Sequence, residues 1–155
     1  MLPGDLIFIR GQGLVIEPIK WMTNSKYSHD VGYIRDNLFI GVQGFQKTQY
    51  EVLSRYKGQS DVFTCDLLTF EQREKIVAFA QSELGSRYDH LLLVWEALRL
   101  LFGIFLPYYK NKRRICSTLW ADAYRSVGID LSPGIKYPTP ADMVKSSLLR
   151  QVGSF

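Results

Sequence analysis

Two cysteines and two histidines are all that the 155 residues contain, and that scarcity excludes much. Cys65 and Cys116 allow a single bridge at most, so there is no disulfide framework. His29 and His90 form no helical pair, and no cysteine pair has finger spacing, so no zinc signature exists and no metal or other cofactor is expected. No apolar run reaches the ~20 residues that a bilayer span requires. Repeats, low-complexity tracts and linkers are absent too, which suits one domain over 1–155. The opening MLPGDLIFIR lacks the basic stretch, apolar core and small-residue cleavage site of a secretory leader. A reducing cytoplasm with free thiols is therefore the expected compartment; a virion or cell envelope would require another delivery route. The net charge of +4 is modest. Its one dense basic run, KNKRR at 110–114, is no extended stripe, so no nucleic-acid partner is expected.

What is present suits a folded core: 46% hydrophobic and 14% aromatic residues, far from a disordered composition. GDLIFIRG alternates between glycines and predicts a strand over 5–10. GLVIEPIKWMTNSKYSHD predicts one short helix through its spacing of Ile16, Ile19 and Trp21–Met22. VGYIRDNLFIGVQGF predicts a hairpin turning at Asp36 and Asn37. DVFTCDLL, 61–68, alternates again, with Val62 and Thr64 on one face and Phe63 and Cys65 on the other. From Thr69 the period becomes helical: Thr69 and Gln72 suit a capping box, and Gly85 a stop. A helix follows Cys116 and ends at Gly128, and Thr139 with Pro140 opens a last one. Strands first and helices later predict an α+β domain, a small antiparallel sheet packed with helices on one side.

Cys116 opens the stretch CSTLWADAYRSVG behind Arg113 and Arg114. A helix N-terminus and nearby cations stabilise a thiolate, which is the reactive form of cysteine. Cys65 sits mid-strand among apolar neighbours, where a thiol is inert. The base for such a nucleophile is His29, at the entry to a strand, or His90, at the head of an apolar stretch. Periodicity does not choose between them.

Four segments in order resemble the NlpC-type cell-wall amidase superfamily, papain-related thiol enzymes, in its circularly permuted YiiX-like branch. PGDLIFIR is similar to the superfamily's proline-glycine-aspartate-leucine strand, and SKYSHDVGYI to its histidine strand. LGSRYDH is similar to the glycine-x-x-tyrosine segment, and ICSTLWADAYRSVGIDL to the helix headed by the catalytic cysteine. The histidine strand precedes the cysteine, as in the permuted branch, and the trailing YPTPADM also fits. The resemblance implies a permuted papain-like fold and a cysteine nucleophile at Cys116 with His29 as its base. It places the imidazole's orienting residue at Gln43, with Gln46 second, where permuted members often carry an acid. Tyr88 would stand near the oxyanion. One departure is Asp30, which separates His29 from the valine-glycine pair that usually follows the family histidine. It implies a bulge, or a shifted phase in which Val31 and Tyr33 share the histidine's face and Asp30 becomes a candidate partner.

The resemblance thus implies a thiol hydrolase or peptidase that cleaves an amide by acyl-enzyme chemistry. Its substrate would be a peptidoglycan stem peptide, reached for example as a phage component, or a lipid or other acyl amide. An acyltransferase, or a non-enzymatic module that binds lipid or assembles into a particle, is the alternative. LLLVWEALRLLFGIFL, 91–106, is interrupted by Glu96 and Arg99 and too short to span a bilayer; it reads as a buried helix, or else as a greasy wall against a membrane surface.

Overall fold

A computed structural model of the chain describes residues 1–11, 24–42, 46–88, 103 and 113–155, with main chain only at Leu53, Tyr88, Arg113 and Arg114. The short helix expected within 13–30 and the apolar stretch 91–106 fall largely or wholly outside these residues.

Among the described residues the strands are β1 (Leu6–Ile9), β2 (His29–Arg35), β3 (Leu38–Gly41), β4 (Gln49–Val52), β5 (Ser60–Thr64), β6 (Arg87–Tyr88), β7 (Arg113–Arg114) and β8 (Arg150–Ser154). The helices are α1 (Phe70–Ser82), α2 (Cys116–Arg125) and α3 (Pro140–Met143), with a 3-10 turn at Leu53–Tyr56. Six strands form one antiparallel sheet in the order β4-β3-β2-β1-β5-β8. β6 and β7 form a separate parallel pair. The expected α+β architecture is observed, with β4, β8 and the β6–β7 pair added to the strands read from the sequence.

The hairpin turns where expected. Asp36 and Asn37 hold φ of 50° and 58°, the left-handed pair that matches the twist of a tight hairpin. α1 carries its capping box: Gln72 N–H donates to Thr69 Oγ1 at 3.2 Å and Thr69 N–H to Gln72 Oε1 at 3.0 Å. The buried Arg73 of α1 then clamps the helix to the sheet, donating to Asp5 Oδ1 at 2.9 Å, Thr64 Oγ1 at 3.1 Å and the carbonyls of Pro3 and Cys65. Asp5 also accepts from Thr64 Oγ1 and from the Leu2 N–H. Asp5, just ahead of β1, thereby ties the start of that strand to β5 and α1.

Strand alternation divides the core. Leu6, Phe8, Ile40, Phe63 and Cys65 face the helices with Leu119, Trp120 and Tyr124 of α2. Ile7, Ile9, Val31, Phe39 and Val62 form the opposite face with Tyr56. α2 lies close on β2 because Gly32 has no side chain. A Cβ there would fall inside the Trp120 indole, whose Cζ2, Cη2 and Cε2 are its nearest atoms. The indole N–H donates to the Ile40 carbonyl at 3.2 Å, and the Tyr124 hydroxyl to the Gly4 carbonyl at 2.8 Å. Gly32→Ala is accordingly expected to destabilise the fold by about 3 kcal/mol, the upper part of the overpacking range, read as a lower denaturant midpoint at unchanged slope. A loss under about 0.5 kcal/mol would contradict the contact.

Candidate active site

The Trp120–Gly32 contact sets the register of α2 against β2, and the register decides what meets Cys116. One helical turn back from Trp120 is Cys116, and two residues back from Gly32 on the same face of β2 is Asp30. A helical turn of ~5.4 Å and a two-residue strand step of ~6.6 Å run nearly together. The thiol therefore comes to rest beside the Asp30 carboxyl.

Cys116 is the first residue of α2, after Ile115 as N-cap. The turn is tied by the Thr118 hydroxyl, which accepts from the Ile115 N–H and donates to the Ile115 carbonyl, both at 3.1 Å. Cys116 is partly exposed, whereas Asp30 is fully buried. Apart from the Cys116 thiol, neither Asp30 carboxylate oxygen has a hydrogen-bond partner among the described residues, nor has the buried Ser117 hydroxyl. Burial pushes the Asp30 carboxyl up to about 7, against the opposing pull of the Cys116 thiol. Burial, then the charge of Asp30, pushes the thiol well above its ordinary range, although the main-chain N–H groups of Asp30 and Ser117 pull it down. The low thiol pKa expected from the helix N-terminus is thus overturned. Desolvation and a facing carboxylate outweigh the N–H groups, and the resting cysteine is a protonated thiol next to a carboxyl that titrates near neutrality.

His29 is elsewhere. It is paired with Ile9 and shares its sheet face with Val31 and Tyr33, the shifted phase foreseen for this strand. Its ring lies 6.2 Å from that of Tyr56, on the face of the sheet away from α2. The expected pairing of His29 with Cys116 is therefore corrected: adjacent residues of a strand point to opposite faces, and Asp30, not His29, takes the one toward α2. The His29 Nε2 is buried without a partner among the described residues. Burial, then the positive charge of Arg55, lowers its pKa to about 4, so at neutral pH the ring is uncharged. Nearby, the Tyr56 hydroxyl donates to Glu51, a buried carboxyl that burial also raises.

Of the remaining expected residues, Gln43 and His90 lie outside the described residues. Gln46 is exposed and accepts from Gln49 Nε2 at 2.6 Å. The main chain of Tyr88 pairs with that of Arg114, two residues ahead of Cys116. Cys65, just past β5, is a buried free thiol in the helix-side core. The sequence reading gave Asp30 a minor part. The signal that could have found it was the valine-glycine pair: aligned on that pair, Asp30 stands where the amidases that the sequence resembles carry their histidine.

No protein-family model matches the chain, and no curated protein matches it. Among solved structures, the chain is similar to the crystal structure of the metalloprotein YiiX from Escherichia coli O157:H7, with a TM-score of 0.76 at 19% identity over 99% of this chain and 97% of that one. The likeness is one of fold, and it runs nearly end to end: the chain has the YiiX fold.

Proposed function

We propose that this chain is a thiol-dependent acyl-transfer enzyme on a circularly permuted, papain-related amidase scaffold, with Cys116 as nucleophile and Asp30 as its proton acceptor. The observation that carries this reading is the buried, otherwise unpartnered Asp30 carboxyl beside a cysteine at the head of a helix. A base is most useful when its pKa lies near the working pH, and about 7 meets that condition.

In the proposed reaction Cys116 Sγ forms a bond to the substrate carbonyl carbon while its proton passes to the Asp30 carboxylate. The carbonyl electrons move onto oxygen, where main-chain N–H groups at the start of α2 and the Tyr88 segment stand as candidate donors. Collapse expels the amine, which takes the proton back from Asp30 and leaves a thioester on Cys116. Water then attacks with Asp30 again as base, releasing acid and thiol; an alcohol or amine in place of water makes the enzyme an acyltransferase. The substrate class is an amide or other acyl compound, a peptidoglycan peptide or a lipid among them.

The YiiX structure is called a metalloprotein. Among the described residues of this chain no three histidine, cysteine, aspartate or glutamate side chains are grouped to hold a metal ion, so those residues do not fit one and no step is routed through it. No helix among the described residues is long and apolar enough to cross a membrane. A binding role without chemistry is the second reading, favoured by the protonated resting thiol.

Asp30→Asn separates the two. It removes a charge that raises the thiol pKa, so simple alkylation of Cys116 at fixed pH becomes faster. Carbonyl turnover by the same variant falls by roughly 10²–10⁴-fold if Asp30 is the base. Turnover that survives the substitution would contradict that role; absence of any turnover in the wild type, across acyl-glycerol and muropeptide panels, favours the binding role. His29→Ala is expected to leave kcat/KM unchanged, and a sharp loss would restore the histidine as base.

The pH dependence follows from the raised Asp30 pKa. Turnover rises as pH increases through about 7, where Asp30 gives up its proton, and Asp30→Asn removes that limb. Folding stability moves oppositely. Because the folded-state pKa exceeds the ordinary 3.8, Asp30 favours the folded state fully only below about 4, and this is lost as pH rises through about 7, by up to about 4 kcal/mol. Denaturation of wild type and Asp30→Asn from pH 4 to 8 checks the sign: only the wild type should show this loss.

A further inference from the structure

One end of the six-stranded sheet gathers positive charge. Ile9 ends β1 there, His29 begins β2 and Ser60 begins β5, and the register sets these three abreast. Arg10 follows Ile9, Lys26 stands just ahead of His29, and Lys57 just ahead of Ser60. Arg10 joins the segments: its N–H donates to the Gln59 carbonyl at 2.7 Å and its Nη2 to the Gly58 carbonyl at 3.5 Å. Arg55 completes the set, since its charge reaches the His29 ring. Arg10 and Lys26 share one carboxylate, Asp61, at 3.5 and 3.3 Å. Asp61 is buried and also accepts from the Tyr27 and Ser154 hydroxyls, so it balances one of the two charges. Arg55 and Lys57 are exposed, and none of the ion pairs among the described residues includes either. Glu51, the other carboxyl in the field of Arg55, is buried and bonded by Tyr56. An exposed aromatic residue flanks the cations: Phe155, whose main chain exchanges two hydrogen bonds with Ser60. The Cys116 site lies at the same end. Phe8 pairs with Asp30 on one side and with Asp61 on the other, so the two aspartates stand two strand spacings apart, about 10 Å.

We infer that this end of the sheet docks on an anionic lipid bilayer, with Arg10, Lys26, Arg55 and Lys57 at the headgroups and Phe155 at the interface, and that the acyl donor is a lipid of that surface. The cations form a compact cluster rather than the stripe that a nucleic-acid backbone follows. An aromatic residue beside lysine and arginine suits the boundary between headgroups and acyl chains. Each cation close to an anionic surface strengthens binding roughly fivefold. The docking stands on charge and placement alone; the lipid acyl donor rests on the reading of Cys116 as a nucleophile.

The test is co-flotation of the full chain with vesicles of phosphatidylglycerol and phosphatidylcholine in equal parts, and with vesicles of phosphatidylcholine alone. Wild type is expected to bind the anionic vesicles and not the neutral ones. Raising NaCl from about 0.1 M to about 1 M shortens the screening length from about 10 Å to about 3 Å and should release it. The Arg55→Gln, Lys57→Gln double variant should bind roughly 25-fold more weakly. A matched control, Lys75→Gln with Lys145→Gln, removes the same charge from α1 and from the segment before β8, and should bind like wild type. Phe155→Ala should weaken binding without changing its salt dependence. Equal losses in the double variant and the control, equal binding to both vesicles, or no binding overturn the docking. Capture by a short DNA duplex in preference to the vesicles overturns it too. None of these outcomes touches the nucleophile, whose failure is read separately as no turnover of acyl-glycerols or muropeptides; turnover of muropeptides alone overturns the lipid donor.

Discussion

One contact governs the placement of the site: the Trp120 indole occupies the space where Gly32 offers no side chain. Without that close approach α2 would ride higher over β2, and nothing would fix which residue of the strand faces the head of the helix. With it, α2 and β2 advance in step, and Cys116 meets Asp30. The indole N–H bond to Ile40 pins the same contact sideways to β3. Arg73 fixes α1 from the far side through Asp5 and Thr64, so the helical layer is held to the sheet by both apolar and ionic contacts.

The electrostatics of the site follow from that packing. A carboxyl enclosed between helix and sheet with only a thiol for a hydrogen-bond donor is costly to ionise, so its pKa climbs toward neutrality. A thiol facing it is in turn costly to ionise, and the helix N-terminus does not reverse the balance. The proposed nucleophile and base are two acids that compete for solvation, unlike the thiolate–imidazolium pair of papain-like enzymes. On the other face of the same strand His29 is held neutral by burial and by Arg55. Two ionisable groups adjacent in sequence, His29 and Asp30, are thereby shifted in opposite directions, each toward its uncharged form.

Much of the architecture was legible because local chemistry announced it. The capping box at Thr69, the Asp36–Asn37 turn and the Thr139–Pro140 start all form where their side chains require. β8 was not legible: RQVGS is exposed along its whole length and carries no alternation, so pairing with β5 alone makes it a strand. β4 was hidden because its inward residue is Glu51, a charge where periodicity seeks an apolar side chain. The β6–β7 pair is too short for any periodic signal. Cys116 was singled out for its position at a helix head, and the structure does begin α2 there. The histidine was not placed correctly, since one inserted residue moves a strand side chain through the sheet, and only the register with β1 and α2 shows which neighbour lands on the helix side. Gln43, Tyr88's side chain and all of 91–106 but Gly103 fall outside what the structure describes.

The central claim is that Asp30 and Cys116, rather than His29 and Cys116, form the proton-sharing pair. Its most direct test is a carbon-13 NMR titration of the Asp30 carboxyl in the wild type and in Cys116→Ala. A midpoint near 7 in the wild type that moves higher once the thiol is gone is the expected result. A midpoint near the ordinary 3.8 that ignores Cys116, with the His29 ring responding to the substitution instead, would contradict it.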